Sequence, residues 1–130
     1  MAKTTLNPDG LPVPRGSYSL VNIVQPGRMV FIAGQTASDH DGKVVGVGDA
    51  REQTRFVLGK IRCAVEAAGG TMNDIVAMNI FTTEVRYHRD INETRREIMT
   101  DNFPTSTMVQ VVALARPELL LEINAIAVVS

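Results

Sequence analysis

The stretch Phe103–Val129, FPTSTMVQVVALARPELLLEINAIAVV, decides the fold. Thr107, Val109, Val111 and Ala113 alternate with Met108, Gln110, Val112 and Leu114, and alternation with a period of two marks a strand. Arg116-Pro117-Glu118 breaks the pattern. From Leu119 to Val129 a second apolar run is interrupted only by Glu122 and Asn124. Residues two apart share a strand face, so this carboxylate and this amide point the same way. An ionised carboxylate inside an apolar run is costly unless it finds water, a cation or a ligand. Glu122 is therefore the first candidate functional residue.

Upstream of this stretch, the clearest helix runs from Asp49 to Ala68. Asp49 followed three residues later by Glu52 resembles a capping box. Val57, Leu58, Ile61, Ala64, Val65 and Ala68 recur at helical spacing and define a buried stripe. Gly69-Gly70 ends the helix, with one glycine free to take the left-handed conformation. Ile75–Thr83 reads as a strand. A second, more polar helix spans roughly His88–Asn102, with Ile91, Ile98 and Met99 as apolar contacts, and Phe103-Pro104 stops it. Arg86, Arg89, Arg95 and Arg96, mixed with Asp90, Glu93 and Glu97, read as a solvated helix face. Toward the N-terminus, Tyr18–Val24 and Met29–Ala33 are short strands joined by Pro26-Gly27, antiparallel if the turn is a hairpin. Residues 37–48 are a Gly- and Asp-rich loop that allows a short strand at Val44-Val45. Residues 1–16 hold three of the six prolines, and residues 1–14 are taken as an extended lead-in within a single domain spanning 1–130.

Composition excludes several classes of function. A chain of 130 residues with 45% hydrophobic and 21% charged residues is an ordinary globular domain. Net charge is -1 and no Lys/Arg block stands out, which leaves no electrostatic footprint for nucleic acid. No apolar run approaches the roughly 20 residues of a membrane span. The N-terminus has no apolar core of a secretory signal, and the lone cysteine, Cys63, excludes an internal disulfide. A cytoplasmic location is the resulting expectation. Cys63 reads as an inert, half-buried thiol. The two histidines, His40 and His88, lie far apart, so no metal-ligand spacing exists.

The expected order is β-β-α-β-α-β-β, an α+β subunit with both helices on one face of a sheet. Strand 75–83 and the last two strands are apolar on both faces. An open second face would exceed the apolar patch typical of a monomer, so a homo-oligomer that buries these faces together is expected.

Four local patterns within this order carry a family resemblance: Gly16-Ser17-Tyr18, Phe31-Ile32-Ala33-Gly34-Gln35, Asn92 in the second helix, and Glu122-Ile123-Asn124-Ala125-Ile126-Ala127. No one of them is specific, but their order and spacing over about residues 12–129 resemble the Rid family, also called the YjgF/YER057c/UK114 family of reactive-intermediate deaminases. The resemblance implies a chorismate-mutase-like fold, a homotrimer with clefts between subunits, and hydrolysis of imines and enamines such as 2-aminoacrylate, without a cofactor or metal. It also implies site residues. Glu122 would handle the attacking water. Tyr18, Ala33 (often Ser in the family), Gly34 and Asn92 would line the cleft, with Ser106, Thr107 and Met108 on the fourth of the expected strands.

The chain departs from the family at the residue that grips a substrate carboxylate. An arginine is expected two residues after Phe103-Pro104, and Ser106 stands there. Met108 replaces the frequent cysteine. Serine does not reproduce a bidentate guanidinium, so weak activity toward 2-aminoacrylate is expected, with Ser106→Arg expected to raise it. Arg15 and Arg116 are candidate substitutes. Two readings follow. One is a hydrolase of an enamine, imine or related small carbonyl compound. The other is a non-catalytic protein that binds a small metabolite in the same cleft. A third, the ribonuclease or translation-inhibitor role sometimes ascribed to the family, is opposed by the absence of a basic face, so neither nucleic acid nor a membrane is expected as a partner.

Overall fold

The computed structural model describes residues 3–130. Its elements are β1 (Lys3–Leu6), β2 (Val21–Val24), β3 (Arg28–Gln35), α1 (Ala50–Ala67), β4 (Ile75–Thr82), α2 (His88–Ile98), β5 (Thr105–Gln110) and β6 (Leu121–Val129). Four strands form the main sheet in the order β3-β6-β4-β5. β6 is antiparallel to both neighbours, while β4 and β5 are parallel. Parallel neighbours need a crossover, and α2 supplies it.

α1 starts where the sequence places it. The Asp49 side chain accepts a hydrogen bond from the Glu52 N–H at 3.0 Å, and Gly69 takes φ +87 just past the end. Val57, Leu58, Ile61 and Val65 are fully buried. Each such side chain contributes about 1.5–3 kcal/mol on leaving water. They pack on Ile32, Ile80, Ile123 and Ala125, and Ile91 of α2 joins the same cluster. Gln53, also fully buried, bonds outward from the helix. Its amide nitrogen donates to the Glu118 carbonyl at 2.9 Å and its oxygen accepts the Leu120 N–H at 2.8 Å. The loop entering β6 is thereby held to α1.

Three expectations change. β1 lies inside the stretch read as a lead-in, and it pairs antiparallel with β2 in a separate two-stranded sheet. β2 and β3 therefore do not form a hairpin. β3 finds a longer apolar partner in β6, while β2 is fastened to the main sheet by the Asn22 amide donating to the Val76 carbonyl at 2.9 Å. β5 stops at Gln110 although the alternation continues to Leu114. As an edge strand it has only β4 to pair with, and β4 ends at Thr82 opposite Gln110. The short strand considered at Val44-Val45 is a single bridge, Ser38 to Val44.

The helices cover one face of the sheet. The other face carries Met29, Phe31, Ala77, Asn79, Phe81, Thr107, Val109, Glu122, Asn124 and Ile126, as strand alternation requires. It is open in the single chain, with Phe31 71% and Met29 60% exposed.

Candidate functional site

The residues singled out from sequence fall into two groups on opposite faces of the sheet. Ala33, Gly34 and Glu122 belong to the open face. The ladder between β3 and β6 slips between Ile32 and Gln35, leaving Ala33 and Gly34 as a bulge. Bulges re-aim the chain beside functional sites. Here the bulge seats Gly34 directly on the Glu122 carboxylate. A Cβ on Gly34 would lie 2.0 Å from Glu122 Oε2, so no side chain fits without moving that carboxylate. Phe31, Ala33, Gly34, Asn79 and Asn124 line a shallow cavity of about 390 Å³ on this face. Glu122 is half-buried, and no cation pairs with it among the described residues. Thr107 stands opposite Asn79 on the same face.

Tyr18, Asn92, Ser106 and Met108 belong to the helix side. With His88 and Arg95 they enclose a cavity of about 250 Å³ between α2 and the edge of β5. The segment leading to Tyr18 is clamped there. The Ser17 hydroxyl donates to Asn92 Oδ1 at 2.9 Å, and the Ser19 N–H donates to the Pro104 carbonyl at 3.0 Å. Gly16 lets the chain pass close to its neighbours, since a Cβ there would sit 3.0 Å from the Tyr18 ring and 3.2 Å from Asn92 Oδ1. Asn92 also donates to the His88 carbonyl at 3.1 Å. It is a tether between helix and segment as well as a wall of the cavity.

Arg95 is the functional candidate that sequence reading missed. It was placed on a solvated face, yet it is 1% exposed. The signal was present: Ile91, Arg95 and Ile98 follow the i, i+4, i+7 spacing of a buried stripe, and charge alone argued against it. Its Nη1 donates to Ser106 Oγ at 3.1 Å and its Nη2 lies 3.9 Å from Met78 Sδ. Among the described residues its Nε has no partner. Desolvation lowers its pKa to about 10, and the group is still a cation at neutral pH. The neighbouring arginines do sit on the surface: Arg96 is exposed, Arg89 pairs with Glu93 and Arg86 with Glu84, and, from α1, Arg51 pairs with Asp90 and Arg55 with Glu97.

Neither proposed substitute arginine reaches Ser106. Arg15 is exposed and lines a neighbouring cavity with His88, Arg89 and Arg96. Arg116, in the loop before β6, donates to the Gly42 carbonyl in the loop before α1. Cys63 is exposed rather than half-buried. Among the described residues no group of three or more His, Cys, Asp or Glu could hold a metal, and no helix is long and apolar enough to cross a membrane.

Comparison with known proteins accounts for this architecture. The sequence model of the family described as Endoribonuclease L-PSP matches residues 10–129. A RutC family protein of Pyrococcus abyssi, PYRAB12510, is 31% identical over 127 residues, covering 98% of each chain. The Rid family protein YyfB of Yersinia pestis superposes with a TM-score of 0.90 at 28% identity, over 99% of this chain and 100% of that one. E. coli TdcF, solved with bound serine, superposes with a TM-score of 0.72 at 31% identity, over 98% and 99%. Rv2704 of Mycobacterium tuberculosis, a YjgF/YER057c/UK114 member, gives 0.69 at 31% identity, over 98% and 100%. With the sheet order, the bulge on Glu122 and the clamped Gly16-Ser17-Tyr18 segment all in place, the chain belongs to the YjgF/YER057c/UK114, or Rid, family.

Proposed function

We propose that the protein is a cofactor-independent hydrolase of a small imine, enamine or related carbonyl compound, acting as a homotrimer in clefts between subunits. The observation that carries this reading is Glu122. It is a half-buried carboxylate with no cationic partner among the described residues, held against a glycine bulge on a sheet face that an oligomer would cover. Covering the open face with a second subunit would remove Glu122 from bulk water and bring it to a junction, a common place for ligand sites. In such a cleft the carboxylate takes a proton from water as that water attacks the C=N carbon, and returns it to the leaving nitrogen. The helix-side residues Tyr18, Asn92, Ser106 and Met108 would come from the other subunit of the pair. Serine bound to the related TdcF supports a small polar ligand. A cytoplasmic location is part of the same reading.

The replacement of the strand arginine by Ser106 supports a second reading, a protein that binds a metabolite without turning it over. Glu122→Gln separates the two. For a hydrolase, kcat falls by ~10²–10⁴ while melting temperature and assembly stay as in wild type. Unchanged turnover in Glu122→Gln, measured as ammonia release from an imine generated in situ, would remove Glu122 from the chemistry. A wild-type protein that binds such compounds and never releases ammonia would favour the binder.

A further inference from the structure

A cation without a counter-ion among the described residues lines the helix-side cavity. Arg95 is 1% exposed, and no carboxylate lies within ion-pair distance of it among the described residues. A guanidinium carries five N–H donors. Here the acceptors they meet are one serine hydroxyl at 3.1 Å and one thioether sulfur at 3.9 Å, and the buried Nε meets none. Burying a charge so poorly compensated is expensive, and an apolar side chain of similar volume would serve packing better. Of the surface arginines around α2, Arg51, Arg55, Arg86 and Arg89 pair with carboxylates, and Arg96 stands in solvent, which screens its charge; buried Arg95 has neither a carboxylate among the described residues nor solvent around it. An arrangement of this kind is expected where the missing partner is a ligand.

We propose that Arg95 is the anion-recognition residue of this chain, a guanidinium carried by α2 that takes the carboxylate of a small ligand in the cavity lined by Tyr18, Asn92, Ser106 and Met108. The inference rests on the reading of that cavity as a small-molecule site and adds the class of ligand. Ser106 is then the residue that orients the cation, because its hydroxyl is the acceptor for Nη1. The place where the family resemblance calls for a strand arginine is supplied from the helix, and the substitution at 106 is a relocation of charge. The cavity, about 250 Å³, suits a ligand of few heavy atoms. The planar fork of guanidinium matches a carboxylate better than a point charge would.

Direct binding tests this independently of turnover. The full chain is titrated with pyruvate and with its neutral amide, pyruvamide, by calorimetry, while the arginine Nε–H resonances are followed by nitrogen-15 NMR. Pyruvate is expected to bind at least about 30-fold more tightly than the amide, the lower end of what a buried charge-assisted contact supplies, and to shift the Arg95 Nε–H signal. Arg95→Met removes the preference, and Arg95→Lys restores part of it. Should Arg95→Met fail to fold, Ser106→Asp decides. It keeps the guanidinium, places a carboxylate within its reach, and is expected to abolish pyruvate binding with a melting temperature no lower than wild type. Equal affinity for pyruvate and pyruvamide in wild type, as would follow if a carboxylate of a second copy already satisfied Arg95, overturns the inference, as does pyruvate binding that survives Ser106→Asp. Imine hydrolysis without anion preference would leave the hydrolase standing and remove Arg95 from recognition. Anion preference without hydrolysis would do the reverse.

Discussion

At the scale of single residues, chemistry here is set by what each side chain lacks. Among the described residues Glu122 has no cation and Arg95 has no carboxylate, and Gly34 has no Cβ. Gly34→Ala tests the first and third together. The added methyl would fall 2.0 Å from Glu122 Oε2. That oxygen is the far end of a flexible side chain, so it swings away at little cost to the fold. A displacement of about 1 Å at a reacting group costs ~10² in rate, so turnover should drop by about that factor with a nearly unchanged melting temperature. A large loss of stability without loss of specific activity would mean that the bulge serves packing alone. Ser106→Arg gives a second residue-scale outcome. The sequence alone predicts that it raises activity toward 2-aminoacrylate. The structure puts a guanidinium nitrogen 3.1 Å from the residue 106 side chain, and like charges at that separation repel. The variant should melt several degrees lower and gain no activity, which thermal denaturation and a parallel assay would check.

Elements are positioned by polar ties across the gaps that apolar packing leaves. Gln53 holds the β6 entry loop to α1 through Glu118 and Leu120, and also donates to the Gly46 carbonyl at 3.2 Å. Its removal strands part-buried backbone groups, each costing at most about 1–3 kcal/mol. Gln53→Leu should therefore lower the denaturant midpoint clearly with an unchanged slope, since the surface exposed on unfolding hardly changes. Glu122 lies two residues past Leu120, so this variant should also lower turnover. α1 and α2 are further joined by Arg51 to Asp90 at 3.1 Å and Arg55 to Glu97 at 3.2 Å. These pairs are exposed and worth at most about 1 kcal/mol each, so the orientation of α2 rests mainly on Ile91, fully buried in the core it shares with α1. That orientation carries Arg95, Asn92 and His88 to the cavity.

The whole molecule presents one sheet face to the core and one to the outside. Phe31, Ile126 and Phe81 lie across adjacent strands on the outer face, with Met29 and Val109 at its edges. Assembly into a trimer would cover this face and bring Glu122 toward the helix-side group of another subunit. Ile126→Glu places an unpaired charge in the middle of the face, among the few changes that cost several kcal/mol when buried. Sedimentation should show wild type at about three times the 14.1 kDa chain mass and the variant at the chain mass. A wild-type monomer at micromolar concentration would sink the trimer and the shared cleft with it.

By itself the sequence determined what local chemistry dictates. Periodicity placed both helices and the strands β3 to β6, Asp49 and Gly69 marked the ends of α1, and Glu122 stood out as a charge inside an apolar strand. These readings hold because the cause lies within a few residues. Tertiary structure alone decided the rest. Pairing of β1 with β2 and the early end of β5 depend on which strand is available alongside. The division of the candidate residues between two sheet faces follows from strand register, which a single strand cannot reveal. Arg95 is buried because α2 turns the Ile91–Ile98 stripe onto β4 and β5, and its nearest partner, Ser106, is brought there by the parallel crossover. Long-range packing outweighed the ordinary preference of a charge for water.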